Sequence, residues 1–207
     1  MIILSVNLDG YDSIKAAPRL PDVSAFMHTD RPDEARAAGW HPIARHNRWI
    51  TPRYLSKPPR CVPHLVGHSD RDILWIDSSM SWTGADARQL VEQVPVGGVG
   101  CFRHRWRTTV AEEAAASISL GIYEGQPVLE QAAHYGHIDE LYEIGILVWR
   151  GAQLSLGVRW AAEILAWSNQ DQISFPYAAR QTGTAITSLQ SGNAVENPWF
   201  HFDGHLK

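Results

Sequence analysis

The chain has 207 residues, of which 44% are hydrophobic and 10% aromatic, which is enough for one well-packed core. Lys and Arg number 18 against 22 Asp and Glu, so the net charge of −4 gives no bulk attraction to a polyanion. No apolar run reaches the roughly 18 residues of a membrane span, and Asn7 and Asp9 interrupt the first run too early for a signal sequence. Cys61 and Cys101 form neither a CxxC motif nor a zinc-ligand pattern, which predicts reduced thiols. We therefore expect a single domain over residues 1–207, cytoplasmic and without a membrane partner.

Short apolar runs alternate along the chain with longer segments of helical periodicity, an order that predicts an α/β fold with a mixed sheet. Near-continuous apolar runs predict buried strands at residues 2–6, 23–28, 73–76, 99–102 and 144–148. Apolar residues three and four apart predict helices at residues 85–93, 109–120, 128–134 and 158–167. Thr109 and Glu112 have the capping-box spacing, and Gly121 is a stop signal. Residues 31–63 are rich in proline and lack periodicity, which predicts loops.

Polar residues follow several of these strands, and ligands of open α/β sheets bind beyond the carboxyl ends of strands. These residues are Asn7, Asp9, Asp12, Thr29, Asp30, Asp77, Arg103, His104 and Arg105. Asp77 with two following serines offers oxygen ligands suited to Mg²⁺ or Mn²⁺ beside a phosphate. The same Asp-Ser-Ser sequence is also common in turns.

Three further clusters each have a functional and a structural interpretation. The cations of the proline-rich segment could bind a pyrophosphate or form a solvated surface; they are Arg45, Arg48, Arg53, Lys57 and Arg60. In "FRHRWR", cations flank Trp106, as in single-strand nucleic-acid binders or at a partly buried strand end. His201 and His205 near the end of the sequence could be metal ligands or a chance pair.

The segment "SNQDQISFPY" places Asp171 and Gln172 at the start of an apparent helix, where Asn169 or Asp171 would also serve as a cap.

Together these segments resemble the TOD1/MUCI70 glycosyltransferase-like domain family, formerly the domain of unknown function 616. The matching blocks follow the family's order over residues 1 to about 180: "GYD", "FMHTD" with "GW", "PRYLSKPP", "LWIDSSM", "GVGCFRHRWRTTVAEEA", "LYEIGILVWR" and "SNQDQISFPY". That family is similar to nucleotide-sugar-dependent glycosyltransferases of the GT-A type. The resemblance implies one α/β domain with a Rossmann-like nucleotide-binding half and a mixed, mostly parallel sheet flanked by helices.

The resemblance also assigns roles to individual residues. In GT-A enzymes an Asp-x-Asp at a strand end binds a divalent ion that bridges the donor phosphates; here Asp77 matches its last residue, and Trp75 stands for the first. The implied metal ligands for Mn²⁺ or Mg²⁺ are Asp77, Ser79 and His201. "QDQISF" and "HFDGHLK" resemble two motifs of a related retaining GT-A family, which implies catalytic roles for Asp171 and Gln172. The expected donor-binding residues are Asn7, Asp9, Asp30, Arg53, Lys57, Asp77 and Lys207.

The resulting expectation is transfer of a hexosyl or pentosyl group from a nucleoside-diphosphate sugar, first a UDP-sugar, to a hydroxyl acceptor. A saccharide is the first acceptor to expect and a hydroxylated base in DNA the second. The alternative is a catalytically inactive GT-A-fold binding module, favoured by Ser79 where a second Asp would be expected.

Overall fold

The structure is a computed structural model that describes residues 1–45, 47, 49–65 and 71–205. Its strands are β1 (Ile2–Asn7), β2 (Ser24–Thr29), β3 (His41–Ala44), β4 (Ile73–Ile76), β5 (Met80–Trp82), β6 (Gly98–Arg103), β7 (Tyr142–Arg150), β8 (Ile186–Ser188) and β9 (Phe200–Phe202). Its helices are α1 (Pro32–Ala37), α2 (Pro52–Leu55), α3 (Lys57–Cys61), α4 (Arg88–Glu92), α5 (Val110–Ser119), α6 (Val128–Tyr135), α7 (Leu154–Ala166) and α8 (Asp171–Thr182). A short 3-10 turn spans Pro63–Leu65.

Seven strands form the central sheet in the order β3-β2-β1-β4-β7-β6-β8. The first four strands in that order are parallel, and β8 is parallel to β6. Strand β7 runs antiparallel to both of its neighbours, β4 and β6. The expected mixed, mostly parallel sheet is therefore confirmed, and the carboxyl ends of β1, β4 and β6 lie at one edge. A separate two-stranded sheet pairs β5 with β9.

Burial on both faces explains why the central strands read as continuous apolar runs. All residues of β1 and β4 are buried. Because side chains alternate across a strand, Leu74 joins the core on one face of the sheet and Trp75 joins the core on the other. Helix α7 covers the second face, where Trp160 packs in the same cluster as Trp75.

The proline-rich segment contains α1, β3, α2 and α3, so the loop prediction for residues 31–63 is wrong. The prolines begin short helices there, because Pro lies in the first turn of α1, α2 and α3. The capping box of α5 is present: Glu112 N donates to Thr109 Oγ1 at 3.1 Å, and Thr109 N donates to Glu112 Oε2 at 3.0 Å. Both cysteines are free and buried. Among the described helices, none has the length and apolar character needed to cross a bilayer.

Candidate active site

A cavity of about 670 Å³ opens at the edge of the sheet where β1, β4 and β6 end. This volume lies within the range of small-molecule sites in proteins, and the edge is where ligands of open α/β sheets bind. Of the residues to which the resemblance gives a catalytic, donor-binding or metal-binding role, those lining the cavity are Asn7, Asp9, Arg53, Lys57, Asp77, Ser79, Asp171 and Gln172. The fold thus brings together side chains that are far apart in the sequence.

Two predicted residues are placed elsewhere, and a third lies outside the described part of the chain. Asp30 lies outside the cavity lining, where its carboxylate accepts a hydrogen bond of 2.9 Å from the backbone N–H of Asp9. His201 lies on β9 with its side chain 73% exposed, and it does not line the cavity either. Lys207 lies outside the described residues.

Asp77 follows β4 directly and is held by three neighbours. Its backbone N–H donates to the carbonyl of Gly145 at 2.8 Å, and its Oδ1 accepts from the indole of Trp75 at 2.9 Å. The same oxygen also accepts from the guanidinium of Arg60. A Cβ on Gly145 would lie 3.4 Å from Asp77 Oδ2, so glycine leaves room beside the second oxygen. Trp75, which stands where an Asp was expected, therefore orients the remaining carboxylate.

Asp171 is the first residue of α8 and is buried, yet its carboxylate does not cap the helix. The cap is Gln170, whose side chain accepts from Gln172 N at 3.2 Å. Asp171 Oδ2 instead accepts from Lys57 Nζ at 2.8 Å and from Arg60 Nη1 at 2.7 Å. Burial alone would raise the pKa of Asp171, but the charges of Lys57 and Arg60 outweigh it and hold the pKa below the ordinary 3.8. The group is therefore ionised at neutral pH.

The cations that meet these acids share one helical face. Ser56 has a helical backbone and joins α2 to α3 without a break. Arg53, Lys57 and Arg60 lie four and three residues apart, so they point to one side of this combined segment. We call these three residues the cation face; all of them line the cavity. The spacing of four and three residues is visible in the sequence, but a segment predicted to be a loop gives no reason to expect that these side chains share one face.

Gly157 allows the cation face to approach the sheet. It lies on α7, which packs against α3, and a Cβ at this position would collide with the carbonyl oxygen of Cys61. Its lack of a side chain therefore permits close contact between the two helices.

A second polar group in the cavity centres on Asp12. Its carboxylate accepts from Ser78 Oγ at 2.7 Å and lies 3.2 Å from His205 Nδ1. The hydrogen bond to Asp12 raises the pKa of His205 above 6.5, burial opposes this, and the charge of Asp12 adds to the rise. His205, and not His201, is thus the tail histidine that reaches the cavity. Sequence spacing could not distinguish them; the chain between them has a left-handed backbone at Gly204, where φ is +81°.

Sequence reasoning also missed Glu143, which is buried in β7 and lines the cavity. The register between β6 and β7 shifts between Cys101 and Phe102, and such irregularities are common beside active sites. Glu143 Oε2 accepts from Ala194 N at 2.7 Å. Burial raises the pKa of Glu143 above its ordinary value, while the hydrogen bond from Ala194 and the charge of Arg105 oppose the rise. A lone carboxylate inside the apolar strand "YEIGILVWR" is the signal that could have indicated it.

The "FRHRWR" segment contributes an exposed aromatic surface to the cavity lining. Trp106 is 71% exposed, and the guanidinium of Arg105 lies 4.0 Å from its ring centroid. His104 Nδ1 accepts from the backbone N–H groups of Trp106 and Arg107 at 3.2 and 3.0 Å. Burial lowers the pKa of His104 to about 4, with Arg107 and Arg105 adding to the effect, so the ring is neutral and shapes the loop.

The described residues do not fit the expected divalent ion. Asp77 Oδ1 already accepts from Arg60 and Trp75, and the predicted ligand His201 lies outside the cavity lining. Within the described part of the chain, no group of three or more His, Cys, Asp or Glu residues could hold a metal ion. The role of Asp77, Ser79 and His201 as metal ligands stays a prediction.

Comparison with known proteins supports the fold. No protein-family model and no curated protein matches the sequence. Mouse xyloside xylosyltransferase 1, in its apo form, superposes with a TM-score of 0.52 and 9% identity over 91% of this chain and 84% of that protein. The apo structure of the bifunctional glycosyltransferase WbbM gives 0.51 and 14% identity over 94% of this chain. This chain spans 41% of WbbM.

The galactosyltransferase LgtC, in complex with donor and acceptor sugar analogs, gives a TM-score of 0.49 and 14% identity over 86% of this chain and 70% of LgtC. The mixed α/β architecture is that of GT-A glycosyltransferases, as expected. Membership in the TOD1/MUCI70 family stays a prediction.

Proposed function

We propose that the chain is a GT-A-type glycosyltransferase that moves a sugar from a nucleoside-diphosphate sugar to a hydroxyl acceptor. One observation carries this proposal: two carboxylates, Asp77 and Asp171, meet the cation face inside a cavity of about 670 Å³ at the carboxyl edge of the sheet. Cations suit a diphosphate, and an ionised carboxylate suits the positive charge that develops at an anomeric carbon. The cations and the carboxylate could therefore act on one donor molecule bound in the cavity.

The residues divide by the part of the donor that their chemistry suits. Asn7 ends β1 and Asp9 lies just beyond it, and both offer polar groups for the nucleoside, while Arg53 and Lys57 offer charge to the diphosphate. Asp171 and Gln172 would face the transferred sugar. Because the pKa of Asp171 is depressed, this residue suits electrostatic stabilisation of the sugar cation better than proton removal. Glu143, whose pKa is raised by burial, is better suited to accept the proton of the acceptor hydroxyl.

A saccharide is the first acceptor to test. Trp106 presents an exposed aromatic face in the cavity lining, and flat aromatic faces stack on the apolar side of a sugar ring. A hydroxylated base in DNA is second, since bases also stack on aromatic side chains beside cations. Acceptor binding that falls steeply with salt would favour DNA, because binding to phosphates releases counterions.

A ligand panel tests the proposal directly. Melting temperatures would be measured with nucleoside diphosphates and their sugars, UDP-sugars first, with and without Mn²⁺. A ligand at about 100 times its Kd should stabilise the folded state by roughly 2.7 kcal/mol and raise the melting temperature by several degrees. Release of free sugar from the stabilising donor, followed by mass spectrometry, would then report turnover.

Two variants make the panel specific. Asp77→Asn should lose the shift, whereas Asp86→Asn should keep it, because Asp86 lies outside the cavity lining and pairs with Arg88 at the surface. Failure of every nucleotide and nucleotide sugar to bind would refute the proposal. Binding without any sugar release or transfer would indicate the inactive binding module instead.

A further inference from the structure

We infer that Arg60 is a catalytic residue that takes the place of a divalent ion between Asp77 and the leaving diphosphate. The inference rests on the proposed glycosyl transfer and names the group that neutralises its leaving group. It starts from the position of Arg60, whose guanidinium bridges Asp77, at the end of β4, and Asp171, at the start of α8.

The surroundings of Arg60 hold the guanidinium at this position. Its side chain is 12% exposed, and its guanidinium lies 5.0 Å from the ring centroid of Trp75. The indole of Trp75 also donates to the oxygen of Asp77 that Arg60 contacts. One aromatic residue therefore contacts the cation and orients its carboxylate partner. A divalent ion at Asp77 Oδ1 would have to displace the partly buried ion pair between Arg60 and Asp77.

The charge of Arg60 is permanent. Burial alone would lower the pKa of Arg60, but the charges of Asp77 and Asp171 outweigh it and raise the pKa above its ordinary value. A guanidinium also presents a planar fork of N–H donors that matches two phosphate oxygens. Arg60 can therefore accompany negative charge that moves onto the diphosphate without itself gaining or losing a proton.

The cation face supplies the remaining charge. Arg60 and Lys57 balance the charges of Asp77 and Asp171, and Arg53 adds a third cation. Arg53 donates to the carbonyl of Ile122 at 3.2 Å and has no carboxylate partner among the residues that the structure describes. Among these five residues the cations therefore exceed the carboxylates by one, before any other ion is added.

The step conserves atoms and charge. The bond between the anomeric carbon and the diphosphate oxygen breaks, and both electrons leave with that oxygen, where Arg60 and its neighbours stabilise the charge. The acceptor hydroxyl oxygen forms the new bond to the anomeric carbon, and its proton is released. The products are the glycoside, the nucleoside diphosphate and a proton.

Calorimetric titration with UDP and the other nucleoside diphosphates, in EDTA and in Mn²⁺, tests the inference. We expect affinities within about twofold of each other in the two conditions, and donor turnover that persists in EDTA. We also expect wild-type protein without nucleotide to leave the electron paramagnetic resonance signal of free Mn²⁺ unchanged, and protein with the diphosphate to lower it no further than the diphosphate alone does. Binding or turnover that appears only with Mn²⁺ would overturn the role of Arg60 while leaving glycosyl transfer intact. Absence of binding in both conditions would overturn both proposals.

Variants separate a direct contact from a structural effect. Arg60→Gln should weaken the nucleoside diphosphate at least tenfold and leave the affinity for the unphosphorylated nucleoside unchanged. Arg60→Lys, which keeps the charge but loses the fork, should restore part of the loss. Arg53→Gln tests the same face at an exposed position that carries no buried ion pair, and Arg36→Gln is an exposed control outside the cavity lining. Equal loss of nucleoside and diphosphate affinity in Arg60→Gln would contradict a direct contact with phosphate.

Discussion

Replacing Asp171 by Asn should destabilise the protein far more than the loss of one hydrogen-bond acceptor. The carboxylate is buried and accepts from Lys57 at 2.8 Å and Arg60 at 2.7 Å, and both cations are largely buried as well. Breaking a buried ion pair by removing one partner costs about 3–5 kcal/mol, because the remaining charge stays desolvated. For a domain of this size, that loss lowers the melting temperature by about 6–20 °C.

The pH dependence gives this prediction a second readout. The pKa of Asp171 is depressed in the folded state, so its contribution is complete above the unfolded pKa of about 3.9 and is lost as pH falls through the folded pKa. Urea unfolding of wild type and Asp171→Asn should therefore differ most at neutral pH and converge at acid pH. The matched control is Asp86→Asn, which removes an exposed carboxylate 2.5 Å from Arg88 and should have no measurable effect. Equal stabilities of the two variants at pH 7 would refute the reasoning from burial.

Three further predictions follow from the cavity and its supports. In steady-state assays, Trp106→Ala should raise the acceptor KM with little change in the donor KM. The control Trp49→Ala should leave both KM values unchanged, because Trp49 is 82% exposed and lies outside the cavity lining. Gly157→Ala should cost about 1–3 kcal/mol in urea unfolding through overpacking against α3, and an unchanged midpoint would contradict the close contact. The pKa of His205, measured by NMR titration, should exceed 6.5 in wild type and return toward 6.5 in Asp12→Asn. The stabilisation of the folded state by this pair is complete below pH 6.5 and is lost as pH rises through the folded pKa of His205. A wild-type pKa at or below 6.5 would contradict the pairing.

The buried strands were predictable because burial on both faces leaves a strong pattern. Strand β4 was predicted at residues 73–76 and spans Ile73–Ile76, β1 extends one residue beyond its prediction, and β2 is shifted by one residue at each end. The strands β3, β5, β8 and β9 were missed, since each has three or four residues and includes half-buried or exposed positions. Their pairing depends on neighbours that are distant in sequence, which no local pattern records.

The candidate site was predictable where a residue ends a buried strand or lies in a segment that resembles a known motif. Asp77 could be recognised because it ends a buried strand, and Asp171 because its segment resembled a known motif. For Arg60 the sequence left two interpretations open, a pyrophosphate-binding group and a solvated surface, and for Glu143 the available signal was a single carboxylate within an apolar strand. Their meaning comes from contacts across the fold, such as the bridge from Arg60 to Asp77 and Asp171.

Trp75 and Arg60 are best understood as one feature of the site. Position 75 is fully buried against the core, so a carboxylate there would need a counter-charge beyond the one that Asp77 requires. A divalent ion provides two positive charges and suits a pair of carboxylates at a strand end. With an indole at position 75, the end of β4 carries the single charge of Asp77, and one guanidinium balances it. The indole at position 75 and the presence of Arg60 are therefore matched in charge, and the same indole lies against the arginine that we propose in the place of the ion.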